Sequence, residues 1–174
     1  MDDFDLPADS SIPFLVMRVI PSELVGEHAL VLRVFGDGRC ELERPPIMRG
    51  AGRHAWQLDA AEVRELARQA LDAGLADLDA RTLRAELRAA HLRNDDGGSI
   101  YRLDDDILEF DLRLDRLRGR SGTVQRDLHK QLRFVGLRGD RARHPNDERV
   151  KKLSELRDRL DAMKNGRAPL PELP

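Results

Sequence analysis

The side chains that most often carry chemistry are few in this chain and lie far apart in the sequence. Its histidines and its single cysteine are His28, His54, His91, His129, His144 and Cys40. A zinc site is usually marked by close pairs such as H-x-x-x-H or C-x-x-C, and the sequence has no such pair. His144 with Asp147 and Glu148 comes nearest, but acids at that position are typical of a helix start. The sequence therefore predicts no metal site and no cofactor.

The sequence shows equally few signs of a nucleophilic catalytic site. No serine stands in a G-x-S-x-G context, and Cys40 lies in a strand pattern where it is predicted to be a small apolar core residue. The glycine-containing turns at 50–53 and 119–122 lack the lysine and the spacing of a phosphate-binding loop. We expect no catalytic residues from these motifs, although an enzyme whose site residues are dispersed along the sequence stays an alternative.

The strongest functional signal is a basic segment between Arg116 and His144. It holds nine basic and two acidic side chains, a net charge of +7 in a chain whose total is −2. A segregated charge can bind an oppositely charged partner. The candidate partner-binding residues are Arg116, Arg118, Arg120, Arg126, Lys130, Arg133, Arg138, Arg141 and Arg143.

Two kinds of partner suit this basic segment, namely an acidic protein surface and the phosphate backbone of a nucleic acid. Proteins that bind single strands place aromatic residues among the basic ones, and here only Phe134 is available. Contacts with duplex phosphates need no aromatic residue, so this alternative stays open. In a strand over 124–135, Lys130 and Arg133 would point to opposite faces, and Glu109, Asp111 and Asp115 are expected to be exposed acids across the hairpin.

Composition places the chain among folded single domains. With 174 residues, 40% of them hydrophobic and 36% charged, it can bury a core of its own. The acidic N-terminus does not resemble a secretory signal, and no apolar run is long enough to span a bilayer. Together with the preference for arginine over lysine, these features favour the cytoplasm of a bacterium, with no membrane association.

Alternating patterns predict the strands of the first half of the chain. They cover Phe14 to Ile20, Ala29 to Phe35, Arg39 to Glu43 and His54 to Leu58. The Asp37-Gly38 pair between the second and third runs is a strong hairpin signal, because both residue types tolerate positive φ. At Asp59 the period changes to that of a helix, with Asp59 and Glu62 forming a capping box and Gly74 at the C-terminal end.

The second half predicts a helix, two strands and a final helix. The helix covers about Arg81 to Leu92, and Ile107 to Leu117 is typical of a half-buried antiparallel strand. The residues from Val124 to Val135 fit either a helix or a strand, but the preceding strand needs a neighbour, which favours a strand. Pro145 precedes the last helix, which ends before Gly166.

These elements predict an α+β fold in a single domain, with an antiparallel sheet of about five or six strands covered on one face by two or three helices. The domain is expected to span residues 12–165. A loosely held acidic tail would precede it over 1–11, and a Pro-rich tail would follow over 166–174.

Four short segments resemble uncharacterised bacterial proteins of unknown function. They are Val34 to Arg39, Ile47 to Gly52, Ala73 to Leu75 and Ala142 to Pro145. The segments are turns and core positions, so the resemblance implies no activity and no catalytic residue.

The leading functional hypothesis is a non-catalytic protein-binding module, such as an inhibitor, an immunity-type protein or a small subunit of an assembly. Its expected partner is a protein with an acidic surface. A domain that binds the nucleic-acid backbone and an enzyme with a dispersed site are the two alternatives.

Overall fold

The computed structural model describes residues 3–21, 29–94, 106–119 and 121–164, with the side chains of 91–94 excepted. Seven antiparallel strands form one sheet. The strands are β1 (Asp3–Asp5), β2 (Pro13–Ile20), β3 (Leu30–Phe35), β4 (Arg39–Arg44), β5 (Gly52–Gln57), β6 (Ile107–Arg118) and β7 (Val124–Val135). The four described helices are α1 (Ala60–Asp72), α2 (Ala80–Asn94), α3 (Leu137–Arg143) and α4 (Glu148–Lys164).

The long strand β6 organises the sheet. On one side it pairs along its whole length with β7, and on the other it pairs with β2 through its first half and with β1 through its last three residues. From β2 the sheet continues through β3 and β4 to β5. The α+β class is confirmed, and the segment 124–135 is a strand.

The β3–β4 hairpin forms where the Asp-Gly pair predicted it. Gly38 has a φ of 91°, a left-handed conformation that side chains rarely adopt. The carbonyl of Gly38 accepts a hydrogen bond from the Leu58 amide at 2.9 Å, so the turn also fixes the residue that precedes α1. A Cβ at position 38 would lie 2.3 Å from the Leu58 carbonyl oxygen, which makes glycine a requirement here.

The start and end of α1 also follow the sequence signals. The Asp59 side chain accepts a hydrogen bond from the Glu62 amide, and the Glu62 side chain accepts one from the Asp59 amide, both at 2.8 Å. These bonds satisfy amides that a helix start leaves without partners. At the other end Gly74 has a φ of 83°, and the Leu75 amide returns to the Ala70 carbonyl, which ends the helix.

One apolar core holds the helices against one face of the sheet. All four helices contribute buried residues to it; α1, α2 and α4 present apolar side chains at helical spacing, and α3 contributes Leu137. Most strands contribute alternate residues, such as Leu15, Met17 and Val19 of β2, because successive side chains of a strand point to opposite faces. Typical members are Met17, Leu32, Leu42, Leu112, Leu66, Leu83, Leu137 and Leu153.

Two features differ from the sequence-based expectations. The pattern indicated a loosely held tail over 1–11, but Asp3–Asp5 form β1 and bury Phe4 against the core. Helix α3 was not predicted, because its seven residues offer one buried apolar side chain, Leu137, and are mostly basic or small. Residues 166–174, where a tail was predicted, lie outside the described residues.

Strand β7 has one irregular point. Asp127 has a φ of 51°, and the pairing with β6 has no partner at that position, although it continues on both sides. Asp is among the few residue types that adopt left-handed backbone with little strain.

Candidate functional site

The structure divides the eight described basic residues of the predicted binding segment among three places. Arg116, Arg118 and Arg126 lie together near the β6–β7 turn, where Arg116 and Arg126 are cross-strand partners. Arg116 is fully engaged by β1, since it donates to Asp3 at 3.0 Å and to Asp5 at 2.6 Å. The hydrogen bonds from Arg116 also lower the pKa of Asp5 below its ordinary value.

The remaining described basic residues lie on opposite faces of β7 and on α3. Lys130 is half-buried on the helix side and Arg133 is exposed on the other side, as the alternation predicted. On α3, Arg138 lies 3.8 Å from Asp161 and Arg143 lies 3.5 Å from Asp140.

Helix α3 also carries Arg141, which donates to the Pro145 carbonyl. Arg120, the ninth predicted residue, lies outside the described residues. Acidic neighbours therefore neutralise several of these cations in place, and the described ones do not form one basic surface. A role for them in partner binding stays a prediction.

The face of the sheet opposite the helices, here called the open face, carries a mosaic of charge. Cross-strand register aligns its side chains in rows that run from β7 to β5. One row is Arg133, Glu109, Arg18, Val31, Glu43 and Arg53, and the next is Gln131, Asp111, Val16, Arg33, Glu41 and Ala55. Opposite charges alternate along both rows, an arrangement that stabilises neighbouring strands modestly.

A cleft of about 220 Å³ lies within these two rows where they cross β2, β6 and β7. Its floor is apolar, because Val16 is buried although it lies on the open face and not in the core beneath the helices. The polar side chains that line it are Arg18, Glu109, Asp111, Gln131 and Arg133.

Glu109 is shared by the two arginines of the cleft. One of its carboxylate oxygens lies 3.8 Å from Arg18 and the other 3.6 Å from Arg133, both longer than an ordinary hydrogen bond. The arginine side chains are 44% and 60% exposed, whereas that of Glu109 is 26% exposed. Two guanidinium groups thus lie beside the cleft with most of their donors available to solvent.

Asp111 is the most constrained polar group of the open face. The sequence predicted an exposed acid here, which is wrong, because Asp111 is only 8% exposed. Gln131 donates to it at 2.9 Å, Arg113 at 3.3 Å, and the His129 Nε2 atom lies 3.2 Å away. Burial raises the pKa of Asp111, but the hydrogen bonds from Gln131, His129 and Arg113 outweigh burial and hold the pKa below its ordinary value.

These contacts fix the chemical character of Asp111. A carboxylate that accepts hydrogen bonds from three side chains is an ionised structural acceptor and has little capacity left for a ligand. In contrast, the guanidinium groups of Arg18 and Arg133 at the edge of the same cleft have donors that are available to a ligand. The arrangement is suited to binding an anionic group.

Helix capping explains the acids of the nearest candidate for a metal site, His144 with Asp147 and Glu148. Asp147 accepts hydrogen bonds from the backbone amides of Arg149 and Val150 at the start of α4. Its pKa is lowered by the hydrogen bond from the Arg149 side chain and by those amides. Among the described residues, no group of three or more His, Cys, Asp or Glu side chains could hold a metal ion.

Sequence reasoning did not identify the cleft, although one signal pointed to it. Arg18 interrupts an otherwise apolar strand, and a lone charge in such a strand indicates a face that meets solvent. The contact between Glu109 and Arg133 agrees with the prediction that the hairpin sets acids opposite arginines. The contribution of β2 depends on its pairing with β6, almost a hundred residues later in the chain, which local patterns do not reveal.

Comparison with known proteins finds no matching family model and no similar curated protein. Among the helices that the structure describes, none combines the length and apolar character that a membrane span requires.

Proposed function

We propose that this chain is a non-catalytic protein-binding module of the bacterial cytoplasm, and that its binding surface is the open face of the sheet. The observation that carries the proposal is the unequal use of the two faces. All four described helices pack on one face, whereas the cleft on the other is lined by side chains of three strands. A rigid sheet holds such side chains at fixed spacing without a loop that must first become ordered.

The composition of the open face resembles that of a protein interface more than that of a substrate pocket. Its cleft of about 220 Å³ has an apolar floor and is lined by polar side chains that include two arginines. Arginine is enriched in protein interfaces, where its planar group pairs with carboxylates.

Binding to a nucleic-acid backbone draws less support from the geometry. Binding to the phosphate backbone needs several unneutralised cations along one line of the surface. Here Arg116 is engaged by Asp3 and Asp5, and Arg133 shares Glu109 with Arg18. The aromatic residue of the basic segment, Phe134, is buried in the core and is not available for stacking on bases.

The proposal is tested by photo-crosslinking in a lysate of a bacterium that encodes the chain. A photoreactive residue at position 33 on the open face is compared with one at position 68, which is exposed on the helical side. We expect one discrete, stoichiometric protein adduct from position 33 and none from position 68. If both positions give the same background, or neither gives a discrete adduct, the open face is not a protein-binding surface.

A further inference from the structure

The most informative part of the open face is the row formed by Arg18, Glu109 and Arg133. Two cations approach one anion from opposite sides, and each contacts a different oxygen of the Glu109 carboxylate. The three charges leave an excess of one positive charge at the edge of the cleft. Asp111 does not cancel this excess, because its own charge is matched by Arg113.

We propose that this row binds a carboxylate side chain, Glu or Asp, of the partner protein, which competes with Glu109 for the two arginines. The inference rests on the proposed function and names the chemistry of its partner. A carboxylate from the partner would lie in the cleft that Arg18 and Arg133 line. It would form the short hydrogen bonds that the distances to Glu109 do not allow.

The charge balance favours a carboxylate over a phosphate group. One excess positive charge is balanced by one carboxylate. A phosphate carries a charge of about −1.5 to −2 at neutral pH, which would leave an uncompensated negative charge next to Glu109 and Asp111. Like charges at such a short distance repel each other and oppose binding.

A third, apolar row of the open face indicates which side chain of the partner should flank that carboxylate. Ile20, Ile107 and Val135 are cross-strand partners on the open face, one step beyond the charged row. Val135 is 37% exposed, and the two isoleucines are half-buried. The matching partner segment therefore presents an acidic side chain with an apolar side chain close by.

A test uses NMR titration of the full chain with an acetylated, amidated peptide of sequence Val-Ser-Glu-Ser-Val. The control peptide has Gln in place of Glu. We expect amide shifts in β2, β6 and β7 with the Glu peptide, and clearly smaller shifts with the Gln peptide. Replacing either arginine, as Arg18→Gln or Arg133→Gln, should weaken binding by about fivefold or more, because each supplies a charge-assisted bond.

The distinctive expectation concerns Glu109→Gln. Removing the competing carboxylate frees both arginines, so affinity for the Glu peptide should rise by about fivefold. Glu43→Gln is the matched control, since it makes the same charge change on the same face but lies on β4, outside the cleft. It should leave the affinity nearly unchanged.

Three results overturn the inference. The first is no binding of the Glu peptide to either the native chain or Glu109→Gln. The second is equal tightening by Glu109→Gln and Glu43→Gln, which would indicate net charge alone. The third is stronger binding of inorganic phosphate than of the peptide at the same residues. If crosslinking gives a discrete adduct but the peptide does not bind, the open face is still a protein-binding surface and the assignment of a carboxylate is wrong. If the peptide binds but crosslinking gives no adduct, the carboxylate site is retained and the proposed protein partner is rejected.

Discussion

The two faces of this sheet are stabilised by different physical means. The face beneath the helices is apolar, and Leu112 on β6 is completely buried there. The neighbouring residues of the same strand, Asp111 and Arg113, face the other way and belong to a network of charges. Burial of apolar surface contributes most of the folding free energy of a domain, whereas exposed ion pairs contribute little.

This difference separates stability from recognition. Because the core beneath the helices supplies the stability, residues of the open face are able to change with small effects on folding. Among the polar residues that line the cleft, Asp111 belongs to both categories, since it is buried. The following predictions test that separation, in order of decreasing effect on stability.

The largest effect is expected for Leu112→Ala on the helix side of β6. It removes a buried side chain from a packed core and should lower the free energy of unfolding by about 2–5 kcal/mol. Urea denaturation followed by circular dichroism measures the change. Arg113→Ala, the adjacent residue on the open face, is the control, and an equal loss in both variants would contradict the assignment of the two faces.

A smaller loss is expected for Asp111→Ala. The side chains of Gln131, Arg113 and His129 would lose their shared acceptor, and the free energy of unfolding should fall by about 1–3 kcal/mol. Asp111→Asn keeps the shape and one acceptor oxygen and should lose less. The idea of a structural acceptor would be rejected if Asp111→Ala were as stable as the native chain in urea.

The stability contributed by Asp111 also depends on pH. Its pKa is lower in the folded chain than in the unfolded chain, so the ionised form favours folding. This contribution is present above the unfolded pKa of about 3.9 and is lost as the pH falls through the lower folded value. Urea midpoints measured between neutral pH and acid should therefore fall more steeply for the native chain than for Asp111→Asn, and parallel curves would contradict the shift.

The smallest effect is expected for Glu109→Gln. The ion pairs of Glu109 are long and partly exposed, so the free energy of unfolding should change by less than about 0.5 kcal/mol. The same variant is expected to bind the Glu peptide more tightly. A thermal melt that shows a large loss of stability would mean that Glu109 serves the fold and not recognition.

Local signals predicted most of the fold because they are carried by a few neighbouring residues. Asp37-Gly38 gave the hairpin, and the Asp59 and Glu62 pair gave the start of α1. Two short elements were missed for a physical reason. Strand β1 is held by Arg116, more than a hundred residues away, and α3 is held mainly by Leu137 against the common core.

The candidate site was less predictable than the fold. The sequence correctly placed Arg133 on the face of β7 opposite to Lys130, but charge along a chain does not report charge on a surface. The Arg116 side chain is neutralised by Asp3 and Asp5 of β1, a segment that the sequence pattern assigned to a tail. Arg18, which lies outside the basic segment, reaches the cleft only because β2 pairs with β6.

The left-handed Asp127 has a consequence for the chain at high concentration. Among the described strands, only β6 pairs with β7, so the outer edge of β7, like that of β5, is a place where a strand of another molecule could add. The break in backbone pairing at Asp127, together with the cationic Arg126 and Lys130 beside it, opposes a continuous ladder there. We therefore expect the irregular residue to disfavour aggregation through this twelve-residue edge.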